Sequence, residues 1–244
     1  MTARENYLTA ARGGKPERVP VFPGDCNVFM PDFWSERDPE TGADFCNIKW
    51  VKNDVGEMPM PGWKAMKELS QWRETVKFPD PEALDWEGMA ERFRENSDPD
   101  KVNIAMLNTA GIFLIPVNML GWEDALCAVC EEPEEMEAFV SAIADFLVKI
   151  AGKIGEYIHP DIMFTGDDFA AAGGPFLARD VFRRIYKPHL KRINDAVHEA
   201  GALAEFHCCG NCQYLIREFL DCGADICQLP EPNEQLLADK RELG

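Results

Sequence analysis

The chain has 244 residues, of which 46% are hydrophobic and 28% are charged, a composition typical of a folded globular protein with a substantial core. Its 43 Asp and Glu residues outnumber its 25 Lys and Arg residues, which gives a formal net charge of −18 at pH 7. Because phosphate backbones and anionic lipid surfaces attract basic proteins, this acidic balance argues against a nucleic-acid partner and against a membrane partner.

Two further features predict where the protein is found. No apolar stretch reaches the ~20 residues of a membrane span, and residues 1–6 lack the apolar core of a signal peptide. We therefore predict a cytoplasmic protein with a single domain over residues 1–244. In the cytoplasm its nine cysteines are expected to stay reduced and to serve metal binding or packing, not disulfide bonds.

The chain carries signals of both helices and strands. Thr2 followed by Glu5 is a capping-box pattern at the start of a first helix. Residues 24–63 are rich in Pro, Gly, Asp and aromatic residues, and we expect them to form a long functional loop. The predicted elements are a helix from Thr2 toward Gly13, helices over 81–95 and 122–130, a long amphipathic helix from Pro133, helices over 179–200 and 211–222, and strands over 19–22, 46–50, 102–107, 161–165, 202–207 and 225–228.

From about residue 100 onward the predicted strands and helices alternate, which is typical of parallel βα units in an α/β fold. In a βα barrel, the loops that follow the strands build the active site. Three predicted strands are followed by polar clusters, which are Asn108-Thr109, Asp167-Asp168 and His207 to Cys209. We expect the three clusters to share one site, although polar strand ends are also common in loops without catalytic function.

A His-Cys-Cys-Gly-Asn-Cys run begins at His207. At the end of a strand, alternation places Glu205, His207 and Cys209 on one face and Cys208 on the other. An imidazole and a thiolate this close together suit a soft divalent metal, with zinc as the first choice, and Cys212 offers a third sulfur. Ordinary packing of buried cysteines and a redox dithiol of Cys209 and Cys212 with C-x-x-C spacing are the alternatives.

Several motifs of this chain occur together in one known family. They are Thr2-Ala-Arg-Glu-Asn-Tyr-Leu, Pro16-Glu-Arg-Val-Pro-Val, Gly166-Asp-Asp, Tyr186-Lys-Pro-His-Leu-Lys-Arg-Ile, Gly201 ahead of His207-Cys-Cys-Gly-Asn, and Gly223-Ala-Asp. The chain resembles the uroporphyrinogen decarboxylase superfamily, and within it the corrinoid-dependent methyltransferases of the methylcobalamin:coenzyme M type, which serve one-carbon metabolism. The resemblance covers nearly the whole chain, and its His-x-Cys-Gly-Asn element is the most specific part.

The resemblance implies a TIM-type (β/α)8 barrel with its site at the carboxyl ends of the strands. The six predicted strands fall two short of that barrel, so we expect a barrel truncated after about six strands. Such a chain is a fragment, a truncated gene product or a protein completed by something else. An incomplete barrel exposes two sheet edges, which lowers stability and favours aggregation.

The resemblance also implies a set of metal ligands and a reaction. In the methyltransferase branch, zinc is held by His-x-Cys and a later Cys, which implies His207 and Cys209 here. The third ligand has no counterpart, so Cys212 is the first candidate, with Cys227 and Glu205 as others. The implied reaction moves a methyl group from a methylated corrinoid, a cobalamin carried by a partner protein, to a zinc-bound thiol such as coenzyme M, to tetrahydrofolate or to another acceptor.

The remaining polar clusters provide the other candidate residues. Asp167 and Asp168 are the predicted catalytic residues, which would hydrogen-bond the substrate or the corrinoid or orient a metal ligand. Asn108 and Asp168 are the predicted substrate-binding residues. Capping of a helix N-terminus is the other interpretation of the two aspartates.

Two alternative functions stay open in the sequence. A tetrapyrrole decarboxylase resembling uroporphyrinogen decarboxylase needs basic partners for the substrate carboxylates. The decarboxylase branch supplies them from an Arg-rich segment after the first strand, whereas residues 23–34 of this chain contain no Arg. The second alternative is an inactive homologue that binds a metal or a corrinoid without turnover.

Overall fold

The computed structural model describes residues 1–54, 56–228, 238 and 241–242. Its strands are β1 (Cys26–Phe29), β2 (Trp50–Lys52), β3 (Glu57–Pro59), β4 (Val102–Met106), β5 (Ile162–Gly166), β6 (Ala170–Ala171), β7 (Gly174–Pro175), β8 (Leu203–His207) and β9 (Ile226–Gln228). The central feature is a parallel sheet with the strand order β1-β4-β5-β8-β9, and two short antiparallel hairpins, β2-β3 and β6-β7, lie outside it.

The helices are α1 (Ala3–Ala11), α2 (Trp72–Thr75), α3 (Trp86–Glu95), α4 (Leu114–Leu120), α5 (Trp122–Glu131), α6 (Pro133–Ile158), α7 (Arg179–Val181), α8 (Lys187–Glu199) and α9 (Ile216–Asp221). Apart from α1, which packs against the other side, the helices cover one side of the sheet. A π-helical turn over Phe182–Tyr186 joins α7 to α8. Pro188, which has no N–H to continue the regular hydrogen-bond ladder, lies two residues after the end of this turn.

The two faces of the central sheet have different neighbours. Strand partners in register project to the same side, so the register assigns each residue to a face. The helix face packs into the main core under the helices and includes Ala105, Met163, Ala204 and Phe206. The opposite face, here called the inner face, includes Cys26, Val102, Ile104, Ile162, Glu205 and His207.

This arrangement confirms the predicted α/β fold of TIM-barrel type, with parallel strands and helices on the outside. Within the described residues the sheet is open, and β1 and β9 are its edge strands. The inner face is largely apolar, and Tyr7 and Leu8 of α1 pack against it. Because β4, β5 and β8 are parallel neighbours in the sheet, their carboxyl ends lie side by side.

The predicted strand over 19–22 is wrong, because the first strand of the sheet is β1 at Cys26–Phe29. Neither Val19 nor Phe22 is part of the core, since 80% of the Val19 surface and 51% of the Phe22 surface are exposed. The Asp25 carboxylate accepts hydrogen bonds from the Arg18 guanidinium and from the Val21 N–H. These contacts hold the segment in a turn, and the apolar run is therefore not part of the sheet.

The predicted strand near 46–50 is also wrong as a member of the sheet. The segment wraps around Asp44, whose carboxylate accepts from the N–H groups of Cys46 and Ile48 and from the Trp50 indole. The strand that follows, β2, pairs only with β3 in a hairpin. The sequence shows the apolar residues here but not the local hydrogen bonds that determine their conformation.

Most of the predicted helices are confirmed, with shifted boundaries. The capping box of Thr2 and Glu5 is present at the start of α1. The helix predicted over 81–95 begins only at Trp86, because Asp85 caps it by accepting the Gly88 N–H. Among the described residues, none of the helices is long and apolar enough to cross a membrane.

Candidate metal centre

Asn108 connects the carboxyl ends of two neighbouring strands. Its side-chain amide donates to the Gly166 carbonyl at 3.1 Å, and its side-chain oxygen accepts the Gly166 N–H at 2.8 Å. The residue is fully buried. Both ends of the amide are thus used to join β4 to β5, and the predicted contact of Asn108 with a substrate stays a prediction.

Asp167 is buried beneath the first turn of α4. One carboxylate oxygen accepts the Phe113 N–H at 2.8 Å and the other accepts the Leu114 N–H at 2.9 Å. Burial raises the pKa of Asp167 to about 8, and the two backbone donors act in the opposite direction. A Cβ at Gly111 would lie 2.4 Å from the Asp167 carboxyl carbon, so glycine is needed for this approach. The geometry matches the helix-capping interpretation.

Asp168 projects to a different place, beside His207 and Cys209. One oxygen accepts the Cys209 N–H at 2.7 Å and lies 3.8 Å from Nε2 of His207. Nε2 of His207 lies 3.1 Å from Sγ of Cys209. One ligand atom from each of the three residues falls within 4.8 Å of the others. The structure therefore brings together His207, Cys209 and Asp168 from the ends of β5 and β8, and these three residues are here called the metal group.

The donor set of this group fits a zinc ion. Tetrahedral zinc with Zn–S of ~2.3 Å and Zn–N of ~2.0–2.1 Å holds its ligands about 3.5 Å apart, close to the two measured separations from His207 Nε2. Burial raises the pKa of the Cys209 thiol to about 11, and the negative charge of Asp168 adds to this effect. A partly buried thiol beside a carboxylate thus forms a thiolate less readily than a free thiol, and a bound cation would favour the thiolate.

The imidazole of His207 is held by its neighbours. Its ring stacks on Phe164 with 5.9 Å between ring centres and an interplanar angle of 25°. In this orientation of the ring, Nε2 points toward Cys209 and Asp168. Nδ1 is buried and has no hydrogen-bond partner in the described part of the chain.

The fourth position of the His-Cys-Cys-Gly-Asn-Cys run, Gly210, requires a glycine. Its φ is +76°, and a Cβ there would lie 2.5 Å from the Ala170 carbonyl oxygen. The next residue, Asn211, donates its N–H to the Ala171 carbonyl at 2.9 Å. Only glycine combines this left-handed backbone with such a close approach. The loop after β8 is therefore fastened to the β6-β7 hairpin, which positions Cys209.

Cys212 does not belong to the group formed by Asp168, His207 and Cys209. It is buried, and its thiol donates to the Cys208 carbonyl on the helix side of the loop. Hydrogen bonding between the two thiols raises the pKa of Cys208 and lowers that of Cys212. The prediction that Cys212 is a third ligand is untested, and so is the alternative of a redox pair formed by Cys209 and Cys212.

The other two candidates for a third ligand are placed differently. Cys227 is in register with Phe206 and so projects to the helix face, away from His207. Glu205 lies on the inner face with His207 and is only 4% exposed. One of its oxygens accepts from the Gln228 amide at 3.2 Å, and burial raises its pKa to about 7.

A cavity of about 230 Å³ lies beyond the end of β4. Its lining includes Trp34, Arg37 and Thr109, while His207 and Cys209 do not line it. Thr109, the second residue of the first polar cluster, thus borders a space that a small molecule could enter. The cavity and the metal group occupy the same edge of the sheet.

Comparison with known proteins agrees with this picture. The sequence model of the uroporphyrinogen decarboxylase (URO-D) family matches residues 90–242, more than half of the chain. The chain belongs to the uroporphyrinogen decarboxylase family. A solved methyltransferase from Methanosarcina mazei superposes with a TM-score of 0.61 and 14% identity, covering 93% of this chain and 75% of that one. No curated protein matches the sequence.

The family assignment confirms the resemblance read from the sequence motifs, and the structural likeness supports the fold. One residue of the metal group was given another role by sequence reasoning. Asp168 was predicted as a catalytic and substrate-binding residue and not as a possible ligand, although it follows the strand next to His207. Adjacent parallel strands end at the same edge of the sheet, so the position of Asp168 just after the strand next to β8 could have identified it as a candidate ligand.

Proposed function

We propose that this member of the uroporphyrinogen decarboxylase family is a zinc-dependent methyltransferase. The methyl group would come from a methylated corrinoid carried by a partner protein, and the acceptor would be a thiol or a similar nucleophile. The observation that carries the proposal is the convergence of His207, Cys209 and Asp168 within 4.8 Å. Nitrogen, sulfur and oxygen donors in this number leave a fourth position open, as in catalytic zinc sites.

Each residue of the group has a defined part in the proposed reaction. His207 would bind zinc through Nε2 and Cys209 through its sulfur. When bound, zinc would lower the pKa of a coordinated acceptor thiol from its usual value of ~8.5, so that the thiolate form is available at neutral pH. Asp168 keeps the loop in place by accepting the Cys209 N–H.

We propose Asp168, and not Cys212, as the third protein ligand. The Asp168 oxygen lies 3.8 Å from Nε2 of His207, whereas Cys212 is engaged with Cys208. A carboxylate with His and Cys is an accepted mixture of zinc ligands. Asp168 is partly exposed, so the open coordination position of the metal would face solvent at the carboxyl ends of the strands.

The decarboxylase activity that names the family is not favoured by this chain. A tetrapyrrole with several carboxylates requires arginines at the mouth of the barrel, and residues 23–34, which include β1, contain none. Arg37, which follows β1 and lines the cavity, already donates hydrogen bonds to Glu57 and to two backbone carbonyls. In the same segment Asp25 is bonded to Arg18. The acidic net charge of −18 also disfavours a polyanionic substrate.

The test combines metal analysis with turnover of free methylcobalamin in the presence of coenzyme M. We expect the wild-type protein to bind about one zinc per chain, and His207→Ala and Cys209→Ser to lose both the metal and the demethylation. Asp168→Asn should weaken zinc binding, while Cys212→Ala should keep it. Cys130→Ser, an exposed cysteine of α5, is the matched control.

Three outcomes would count against parts of the proposal. A wild-type protein without zinc binding would remove the metal centre. Zinc binding without methyl transfer to any acceptor would indicate a binding accessory in place of an enzyme. Loss of zinc in Cys212→Ala together with unchanged binding in Asp168→Asn would assign the third ligand to the cysteine.

A further inference from the structure

Two polar side chains occupy the inner face of β8, two positions apart. Glu205 and His207 project to the same side because strand residues alternate. Phe164 covers both, since it stacks on His207 and is in register with Glu205, while Tyr7 and Cys26 lie near enough for the charge of Glu205 to raise their pKa values. Ile226 of β9 is in register with Glu205 on the other side. A carboxyl enclosed in this way is costly unless it has a hydrogen-bond partner.

Each of the two side chains has one satisfied end and one unsatisfied end. Oε1 of Glu205 accepts from the Gln228 amide at 3.2 Å, and Nε2 of His207 faces Cys209 Sγ at 3.1 Å. Oε2 of Glu205 and Nδ1 of His207 are both buried without a partner in the described part of the chain. The unsatisfied atoms are an acceptor and a ring nitrogen that can carry a proton, and they are chemically complementary.

We propose that Glu205 is the positioning residue of His207. Its carboxylate accepts the Nδ1–H of His207 through one buried water, and so presents the Nε2 lone pair to the metal. The inference rests on the proposed zinc site, and it adds a residue that the metal ligands themselves do not include. Histidines that bind metals nearly always donate their other ring N–H to a carboxylate or a carbonyl, which determines the tautomer.

The neighbouring carboxylates do not offer this contact. Asp168 lies on the Nε2 side of the ring, at 3.8 Å. Asp167 is buried and accepts two backbone N–H groups of α4. Gln228, in register with His207, bonds to Oε1 of Glu205 and limits rotation of the carboxyl group. Among the described residues, the second oxygen of Glu205 is thus the carboxylate oxygen left for Nδ1.

The first test measures zinc affinity by competition with a chromophoric chelator at pH 8. We expect Glu205→Leu to weaken zinc binding by about 10–100-fold, the effect of losing the hydrogen-bond partner of a metal-bound histidine. Glu205→Gln should lose less, because its amide oxygen still accepts a hydrogen bond. Glu218→Gln, which changes another buried glutamate bonded to Arg183 and Lys187, is the matched control and should bind zinc like the wild type.

The second test reads the His207 ring tautomer by ¹⁵N NMR of the zinc-free protein, with His207→Ala to identify its signals. We expect the Nδ1–H tautomer in the wild type and a shift toward Nε2–H in Glu205→Leu. Wild-type zinc affinity in Glu205→Leu, or an Nε2–H tautomer in the wild-type protein, would overturn the inference. If the wild type binds no zinc, the proposed function fails while the tautomer measurement still decides whether Glu205 positions His207.

Discussion

The helix face and the inner face of β8 consist of alternate residues of one strand, yet their surroundings differ. Phe206 is fully buried on the helix face, with its ring centre 4.5 Å from that of Phe219. Its neighbour His207 is partly exposed and lies beside Cys209 and Asp168. The comparison shows that one step along the strand separates a residue of the core from a residue of the candidate metal centre.

The loops at the strand ends continue this division. Asp167 is buried under α4, while Asp168 reaches the metal group. Cys208 pairs with Cys212 on the helix side, while Cys209 faces His207. Variants of the helix side should therefore change stability without changing metal binding, and variants of the inner side should do the reverse.

The largest expected effect is that of Phe206→Ala. Removing a fully buried aromatic ring costs about 3–5 kcal/mol in the free energy of unfolding, because the helices cannot close the cavity completely. Urea denaturation measures the loss, and the folded fraction should still bind zinc. Val28→Ala, at a 42% exposed position of β1, is the control with a small effect. A loss below about 1 kcal/mol for Phe206→Ala would contradict the packing described for the helix face.

A smaller effect is expected for Asp167→Asn. The amide can accept only one of the two backbone hydrogen bonds at the start of α4, and an unsatisfied buried donor costs about 1–3 kcal/mol. Thermal unfolding should show this loss, while zinc affinity should stay near the wild-type value. Asp168→Asn is the matched neighbour and should show the opposite behaviour. If Asp167→Asn unfolds normally but loses zinc, the division between the two aspartates is wrong.

The smallest effect is expected on the outer layer of helices, at Glu218 of α9. A hydrogen bond from Arg183 holds the pKa of Glu218 at about 2, with burial opposing and Lys187 assisting. The unfolded chain therefore binds the proton first, so the contribution of this carboxylate is complete above about pH 4.5 and is lost as the pH falls toward 2.

Glu218→Gln tests this pH dependence. We expect it to be less stable than the wild type at pH 7 by about 1 kcal/mol or less, since both cations reach solvent. Unfolding curves at a series of pH values should show the difference shrinking between pH 4.5 and pH 2. A difference that stays constant over this range would show that the lost stability comes from packing and not from the charge.

Much of the second half of the fold could be predicted from the sequence. Apolar periodicity located α6 and β8, because helices and strands that bury one side must repeat their apolar residues. The first 80 residues could not be predicted in the same way. There the hydrogen bonds of Asp25 and Asp44 determine the backbone, and a polar side chain that bonds to nearby N–H groups leaves no periodic signal.

The sequence by itself determined the candidate zinc pair. His207 and Cys209 are two positions apart in the chain, and their proximity follows from local geometry at the end of a strand. Only the tertiary structure decided which further side chains surround them. Asp168 comes from the end of the neighbouring strand β5, Cys212 is hydrogen-bonded to Cys208, and Glu205 lies between β5 and β9. Distances between separate elements depend on strand order and packing, which a spacing along the chain does not contain.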